Sequence, residues 1–333
     1  MSITRRSFVA LSATLPWVLR AQASQSNKSI PIGLELYSVR EVLKKDLEGT
    51  VRAVAQLGYE CVEFYAPYFD WTEPQTKNMR KLLDDLGLRC YSTHNDEKYF
   101  SRENISKARD MNLTLGAKYM VMAYSEPKNG LDGWKAIVDE LNTAADVLAP
   151  AGLKPGYHNH QAEWKAIEGA RPMEVIAKNT KPSVMLQLDV GTCLNAGADP
   201  AAWIKSNPGR IHSLHLKDWS SDPAKAYEVL FGEGDAKWKE IFAAAESVGG
   251  VEYYLLEQEG SRFGELETAK RCLAAYKATH ALQSSQKFGL TDADARSLIL
   301  LLPSAFWLLN SAFCFTLPDV ALEIPSNTAF LLA

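Results

Sequence analysis

The sequence predicts an α/β protein whose strands close into a (β/α)8 TIM barrel. From residue 30 onward, short apolar runs alternate with amphipathic stretches, and such alternation of strand and helix is typical of a parallel sheet. The strand–helix pairs fill residues 30 to 280 of the 333-residue chain. That length matches the roughly 250 residues of an eightfold barrel.

The predicted strands are short apolar runs bounded by turn-forming residues. They cover 30–38, 59–65, 88–95, 118–124, 153–160, 183–191, 210–218 and 251–259. The predicted helices carry apolar residues at helical spacing, and the one that ends at Gly87 also has a proline near its start, as helix termini prefer. They cover 46–58, 73–87, 101–116, 132–149, 171–179, 199–206, 237–248 and 264–280, and an irregular insertion with the residues FGEGD precedes the seventh.

The main alternative fold is an open, doubly wound sheet. In dinucleotide-binding sheets of that kind, a glycine-rich fingerprint of the type GxGxxG follows the first strand. No such motif follows residues 30–38. The absence of the motif favours the closed barrel.

The first 23 residues resemble a bacterial twin-arginine export signal. Arg5 and Arg6 precede an apolar run that reaches Leu19, and the small-x-small cleavage pattern AQA follows at 21–23. An N-terminal helix of the domain is the alternative. The signal predicts a periplasmic protein that is exported after folding, with a barrel domain over 24–283.

The charge of the chain argues against nucleic acid as a partner. Its 36 Lys and Arg stand against 40 Asp and Glu, which gives a net charge of −4. Removal of residues 1–23 takes away three arginines and no acidic residue, so the charge falls to −7. An acidic protein does not attract phosphates.

The five cysteines do not predict a disulfide framework or a zinc ribbon, because their number is odd and no pair has CxxC spacing. Cys61 and Cys90 fall on neighbouring predicted strands. We expect them to be buried thiols, and one disulfide in an oxidising periplasm is the alternative.

The sequence does not predict a single structure for the apolar extension over 284–333. Residues 297–318 contain no charged residue and are long enough to span a bilayer, but Pro303 and Asn310 interrupt the run. Three interpretations stay open: a membrane anchor, an apolar segment packed on the barrel, and a poorly structured extension. Contact with a membrane is expected only under the first.

Polar residues of ligand type stand near the carboxyl ends of the predicted strands, where TIM barrels carry their active sites. Because strand side chains alternate between faces, two such residues spaced by two, as in the segment HNH at 158–160, point the same way. The residues are Glu35, Glu63, His94, His158, His160, Asp189, His215, Lys217, Glu257 and Glu259.

Four of these residues predict a metal site. His158, Asp189, His215 and Glu257 fall on successive strands with gaps of 31, 26 and 42 residues, close to the roughly 30 residues of one βα unit. Each alone could be a hydrogen-bonded structural residue, but their recurrence favours a joint site. Mixed imidazole and carboxylate ligands suit one divalent Mn, Co, Fe or Zn ion, and Mg less well.

Six segments, in this order, resemble the sugar phosphate isomerase/epimerase family of the xylose-isomerase-like barrel superfamily. They are GLELYSVR, GYHNHQAEW, LQLDVGTCLNAGADP, HSLHLKD, FGEGD and YYLLEQE. The resemblance implies a metal held by a Glu on strand 5, an Asp on strand 6, a His on strand 7 and a Glu on strand 8. Asp189, His215 and Glu257 match the last three. His158 stands where relatives carry the Glu.

The resemblance also implies acid–base chemistry beside a metal-bound carbonyl. In such isomerases and epimerases one metal-bound carboxylate removes a proton and a second returns it, while the metal polarises the oxygens. Here only Glu257 remains of that pair, because a metal-bound His158 is a poor second base. The reaction either uses another base or needs one base only, as in elimination or hydration. The candidates for a second base are Glu35, Glu63, His94, His160 and Glu259.

The remaining strand-end residues are predicted to contact the substrate. Lys217 could bind a hydroxyl, a carboxylate or a phosphate, or stabilise an enediolate, and the alternative is an ion pair with Asp218 of little energetic value. Trp219 and Tyr65 could stack on a sugar face or belong to the core. The predicted catalytic residues are Glu257, Lys217 and His160, and the predicted substrate-binding residues are Glu35, Glu63, His94, Trp219 and Glu259.

These features predict a metal-dependent isomerase or epimerase that abstracts a proton next to the carbonyl of a sugar or keto-sugar. A lyase or hydratase acting on keto-sugars or glycosides and a non-catalytic sugar-binding barrel are the alternatives. A multi-metal nuclease is disfavoured by the acidic charge and the six histidines. The expected partner is a small carbohydrate, which need not be phosphorylated, and a homo-oligomer is compatible with the sequence.

Overall fold

Eight parallel strands close into a barrel in the computed structural model of this protein, which describes residues 30–287. Each strand pairs with the next along the chain, and the last pairs with the first. The predicted fold is therefore confirmed. The strands are β1 Ile32–Glu35, β2 Cys61–Phe64, β3 Arg89–Asp96, β4 Tyr119–Tyr124, β5 Lys154–His158, β6 Met185–Asp189, β7 Ser213–Leu216 and β8 Tyr253–Leu256.

The helices follow the strands with the capping chemistry that their sequences encode. Before the helix that starts at Glu73, Thr72 and Gln75 each bond the other's backbone N–H, and Gly87 ends that helix in the left-handed conformation at φ 70°. The helices are α1 Arg40–Lys45, α2 Leu47–Leu57, α3 Glu73–Leu86, α4 Ile105–Leu115, α5 Gly130–Leu148, α6 Pro172–Asn179, α7 Val190–Asn195, α8 Pro200–Ser206, α9 Trp238–Ala244 and α10 Glu265–Lys287.

Several predicted strands are longer than the observed ones. The run at 30–38 is a strand only as far as Glu35, and a 3-10 turn over Leu36–Val39 and helix α1 follow. Strand β6 ends at Asp189 because this side chain accepts a hydrogen bond from the N–H of Thr192 and so caps helix α7 at once. Apolar residues fill both segments, so their hydrophobicity alone did not reveal the change of conformation.

Two apolar layers hold the barrel together. Outward-facing strand residues such as Val62 and Phe64 pack against the helices. Inside the barrel, at the amino ends of the strands, lies a smaller apolar cluster with Tyr91 packed against it. Its buried members are Cys61, Tyr119, Val121, Met185, Tyr253 and Leu255. This cluster is a packed core rather than a pore, so a ligand can enter the barrel only from the carboxyl ends of the strands.

The cysteines of the described residues are buried and free. Cys61 and Cys90 therefore do not form the disulfide that the sequence left open, and the expectation of buried thiols is confirmed. Burial raises the pKa of both thiols, which keeps them protonated and unreactive.

Two of the sequence predictions fall outside the described residues. The export signal at 1–23 and the apolar run at 297–318 both lie there, so they stay predictions. Within 30–287, no helix combines the length and the apolar character that crossing a membrane requires. The compact unit that contains the barrel ends at Tyr276, and a second unit starts at Lys277.

Candidate metal centre and active-site cavity

Four buried side chains converge at the carboxyl end of the barrel. His158 ends β5, Asp189 ends β6, His215 lies in β7, and Glu257 directly follows β8. One ligand atom of each lies within 4.8 Å of the ligand atoms of the other three. The structure thus brings together the four residues that the sequence predicted as metal ligands.

Asp189 offers an oxygen with no hydrogen-bond partner. Its Oδ1 accepts from the N–H of Thr192 at 2.7 Å, but its buried Oδ2 has no hydrogen-bond partner among the described residues. Burial raises the pKa of Asp189, and the Lys217 ammonium opposes that rise. Because a buried carboxylate oxygen without a partner is costly, Oδ2 marks the point where a cation would be stabilised.

His158 presents a nitrogen lone pair to the same point. Its Nδ1 lies 3.1 Å from Oε1 of Gln187, which can only accept, so Nδ1 carries the proton. Its Nε2 is left as an acceptor, 3.9 Å from Oδ2 of Asp189. Burial, together with His215 and His94, lowers the pKa of His158 well below its usual value. A neutral imidazole with a free Nε2 is the form that binds a metal.

His215 stands between two carboxylates. Its Nδ1 lies 2.5 Å from Oε2 of Glu257 and its Nε2 lies 2.8 Å from Oε2 of Glu63. Burial lowers the pKa of His215, but Glu63 and Glu257 outweigh burial and raise it to about 10. In the protein alone, His215 is therefore an imidazolium at neutral pH.

Glu63 lies beneath the metal-ligand cluster rather than in the cavity wall, which corrects its prediction as a substrate-binding residue. It is fully buried, and its Oε2 lies 3.0 Å from Nε2 of His94. Its Oε1 accepts from Nε2 of Gln187 at 3.0 Å and from the Ser92 hydroxyl. Burial raises the pKa of Glu63, but His94 and His215 outweigh it and lower that pKa well below its usual value. A carboxylate in this position orients ligating histidines.

Lys217 pairs with the carboxylates of the cluster and not with Asp218. Its Nζ lies 3.4 Å from Oε1 of Glu257 and 3.8 Å from Oδ2 of Asp189, and it donates to Glu259. Burial lowers the pKa of Lys217, but Glu257 and Asp189 outweigh it and raise that pKa. The predicted alternative, a surface pair with Asp218, is wrong.

Asp218 instead organises the FGEGD insertion. Its carboxylate accepts from the backbone N–H groups of Gly232 and Gly234 and from the indole N–H of Trp238. A Cβ at Gly234 would lie 2.3 Å from Oδ1 of Asp218, so only glycine fits there. The insertion therefore folds around one buried carboxylate.

The buried charges of the site are not balanced by the side chains alone. Three ionisable carboxylates, those of Glu63, Asp189 and Glu257, are buried here together with only two cationic groups, Lys217 and His215. Burying an unpaired charge is expensive. A divalent cation among His158, Asp189, His215 and Glu257 would offset that excess, so these residues fit a metal ion.

A cavity of about 500 Å³ opens above the cluster. Seven of the predicted site residues line it: Glu35, His94, His158, His160, Lys217, Glu257 and Glu259. Trp219 is not among the lining residues, so its prediction as a substrate-binding residue is not supported by the geometry. Its backbone N–H donates to Asp218, and its carbonyl accepts from Asp235, because it belongs to the turn that starts the insertion.

Glu35 lies on the floor of this cavity. It is almost fully buried, and its Oε1 accepts from the N–H of Tyr37 at 3.3 Å. Burial, together with the charges of Glu63 and Glu257, raises its pKa well above the usual value. Burial and the neighbouring carboxylates therefore favour the protonated form of Glu35, whereas Lys217 and His215 favour the ionised form of Glu257.

Gln187 and Tyr227 belong to the site but were not predicted from the sequence. Gln187 bridges Glu63 and the two histidines His94 and His158. Its position two residues before Asp189 on one strand could have revealed it, because both side chains share a face. Tyr227 lines the cavity, accepts from Gln161 at 2.6 Å and lies under the Lys217 ammonium. It comes from the irregular insertion, where no periodic pattern exists.

The barrel and this buried imidazole–carboxylate site define a class of TIM-barrel enzymes, and comparison with known proteins agrees. Residues 51–279 match the family model described as xylose isomerase-like TIM barrel. The chain therefore belongs to this family of enzymes.

Three relatives illustrate the family. An inosose dehydratase from Geobacillus thermodenitrificans is 24% identical over 223 residues, which are 55% of this chain and 74% of that protein. The crystal structure of a sugar phosphate isomerase/epimerase from Parabacteroides distasonis is 27% identical, with a TM-score of 0.63, over 76% of this chain and 95% of that one. The structure of a D-allulose 3-epimerase from a Methylomonas species shares the fold. It is 14% identical, with a TM-score of 0.57, over 74% of this chain and 97% of that one.

Substitution of Glu63 by Gln is expected to weaken binding of Mn²⁺ by about 10- to 100-fold, as loss of a partner of a metal ligand usually does. The reason is that the neutral amide no longer fixes the ring of His215. Isothermal titration calorimetry gives the affinity, and Glu63→Asp, which keeps the charge, should lose less. Glu252→Gln is the matched control, because Glu252 also faces a histidine, His212, but outside the cluster. Equal affinity in Glu63→Gln and wild type would show that Glu63 does not position His215.

Binding of Mn²⁺ is also expected to release about one proton per ion, because a ligating imidazole must be deprotonated. With the pKa of His215 raised to about 10, that proton is present throughout the range from pH 6.5 to 8.5. The apparent affinity should therefore rise about tenfold for each pH unit in that range. Titrations in buffers of different ionisation enthalpy count the protons. A pH-independent affinity with no proton released would contradict the arrangement of His215 described above.

Proposed function

We propose that this protein is a metal-dependent keto-sugar isomerase or epimerase that removes a proton from the carbon next to a carbonyl. The observation that carries the proposal is the convergence of His158, Asp189, His215 and Glu257 within 4.8 Å beneath an open cavity. The unpartnered oxygen of Asp189 supports a cation there. Membership of the xylose isomerase-like family supports the class of reaction.

The donor set supports one divalent ion of the Mn, Co, Fe or Zn type, since two imidazoles and two carboxylates suit these metals better than Mg. Each of four successive strands would provide one ligand: His158 from β5, Asp189 from β6, His215 from β7 and Glu257 directly after β8. Such an ion, when bound, supplies Lewis-acid polarisation of substrate oxygens. The protein's own groups supply orientation and proton transfer.

Glu257 is the base in this proposal. Burial raises its pKa, but Lys217 and His215 outweigh burial and lower that pKa well below the usual value, so the carboxylate is ionised at neutral pH. It lines the cavity, so a substrate carbon can reach it. Lys217, 3.4 Å away, holds the carboxylate in place and presents an ammonium to the negative charge that develops on a substrate oxygen.

The return of the proton is proposed to come from a second group in the cavity. His158 stands where relatives carry a carboxylate, and its Nε2 faces Asp189, so it is not available. His160 and Glu35 both line the cavity. Glu35 is the better donor, because its raised pKa keeps it protonated while Glu257 is ionised.

A dehydratase is the second candidate, and the pairing of one ionised and one protonated carboxyl favours it. Glu257 could remove the proton next to the carbonyl, and Glu35 could protonate the hydroxyl that leaves from the neighbouring carbon. Such an elimination uses one base and one acid and needs no second base. The Geobacillus relative is named inosose dehydratase, which supports an elimination of this kind.

Exchange of substrate hydrogen with D₂O tests the proposal. The Mn²⁺-loaded protein, incubated with a panel of ketohexoses, inososes and keto-glycosides, is expected to incorporate deuterium at one carbon of at least one substrate. Glu257→Gln at saturating Mn²⁺ should lower that rate by about 10²- to 10⁴-fold, the usual contribution of a general base. Glu252→Gln, outside the cavity, is the matched control.

The products separate the two candidates. An epimerase returns an isomeric sugar that is heavier only by the one deuterium it has taken up, whereas a dehydratase gives a product lighter by one water with ultraviolet absorbance of the conjugated carbonyl. Absence of exchange and of product across the whole panel, in a protein that holds its metal, would favour the non-catalytic sugar-binding barrel.

A further inference from the structure

The mouth of the active-site cavity is aromatic. Among the described residues, the large apolar side chains that remain exposed include only two aromatic ones, Tyr37 and Tyr124, and both line this cavity. Tyr124 is the more exposed, at 55%. Exposed apolar surface at the rim of a cavity is typical of a ligand-binding groove. The two tyrosines therefore offer a ligand a contact surface in addition to the candidate metal ligands.

Only Tyr124 offers an uncovered ring face. The ring of Tyr37 meets that of Tyr65 edge to face, with centroids 5.3 Å apart, and the Arg40 guanidinium lies over it at 4.5 Å. No other described aromatic or cationic side chain stacks on Tyr124. Its hydroxyl donates to Glu126, which holds the ring in place.

A second hollow of about 420 Å³ adjoins the cavity at Tyr124. Tyr124 and Asp96 line both spaces. The far wall of the hollow is formed by short polar and acidic side chains, among them Ser101, Ser125 and Glu140. The two spaces are therefore neighbours with Tyr124 and Asp96 between them, and they are together called the groove below.

The part of the groove away from the candidate metal ligands suits hydroxyl groups better than anions. Its carboxylates are hydrogen-bond acceptors, which suit the O–H donors of a sugar. Of its two lysines, Lys217 is paired with the cluster carboxylates, and Lys98 lies 3.0 Å from Asp96. Among the described residues that line the groove, no lysine ammonium is thus left unpaired to receive a phosphate or a carboxylate of the ligand away from the candidate metal ligands.

The cavity and the hollow together have room for more than one sugar ring. The cavity alone, at about 500 Å³, lies within the roughly 300–1,000 Å³ of pockets that enclose drug-sized ligands. A single sugar ring held over the metal ligands would leave the face of Tyr124 and the hollow to water.

We infer that the substrate is a neutral glycoside of at least two rings. Its reacting ring lies over the metal ligands, and a second, glycosidically linked sugar ring stacks on Tyr124 and reaches the hollow beyond Asp96. The position of the reacting ring rests on the proposed function, whereas the second-ring site rests on the groove itself.

Binding of stable sugars tests this site without any turnover. The Mn²⁺-loaded full-length chain is titrated with D-glucose, maltose, cellobiose, trehalose and glucose 6-phosphate by calorimetry. At least one disaccharide is expected to bind 10-fold more tightly than glucose, and glucose 6-phosphate no more tightly than glucose. Tyr124→Ala should lower the ratio of disaccharide to glucose affinity at least fivefold, and Tyr124→Phe, which keeps the ring, should preserve it.

Leu113→Ala is the matched control, because Leu113 is an exposed apolar residue of helix α4 that lines neither space, and it should leave the ratio unchanged. Disaccharides that bind no better than glucose, or a ratio that survives in Tyr124→Ala, would overturn the second-ring site. Tighter binding of glucose 6-phosphate would overturn the neutral ligand. Failure of the proposed function is a separate result, since it appears as absent deuterium exchange with the binding ratio intact.

Discussion

Buried negative charge at the carboxyl end of the barrel is the constraint on which the rest of the site depends. The carboxyl groups of Glu63, Asp189 and Glu257 are all buried in this part of the barrel and shielded from water. Isolated carboxylates could not remain ionised there, because burial favours their protonated form. Lys217 and His215 lower the pKa of Glu257, and His94 and His215 lower that of Glu63, whereas burial raises the pKa of Asp189. Asp189 is thus the carboxyl group that a further cation would stabilise as an anion. The proposed metal binding and acid–base chemistry, and the orientation of the histidines, all depend on these buried carboxyl groups.

Barrel geometry places these groups by register. Adjacent strands pair Asp189 with His215 and His158 with Gln187, and the alternation of side chains turns all four toward the axis. The apolar cluster at the amino ends closes the barrel below them. The polar layer is thereby open only toward the cavity, where Tyr227 and Tyr124 shape the approach of a ligand. The interior of the barrel is thus apolar at the amino ends of the strands, where it stabilises the fold, and ionic at the carboxyl ends, where the candidate site lies.

The fold and the convergence of the four candidate metal ligands were predictable, because they depend on periodic patterns. Eight apolar runs spaced by amphipathic stretches specify a barrel, and strand ends bring His158 and Glu257 together whatever the loops do. The depth of Glu63 was not predictable, since its strand ends one residue later at Phe64 while the neighbouring strand β3 continues to Asp96. The partner of Lys217 and the place of Tyr227 depend on the fold of an irregular insertion around Asp218. Such tertiary contacts leave no periodic trace in a single sequence.

The most direct test of the account is the metal content of the purified full-length chain and of two ligand variants, measured by mass spectrometry of the elements after dialysis against Mn²⁺. The account predicts about one ion per wild-type chain, as a closed four-ligand site requires, and nearly none in Asp189→Ala and His215→Ala, with the barrel intact by circular dichroism. An ion retained at full stoichiometry in both variants, or none bound by the wild type, would contradict it.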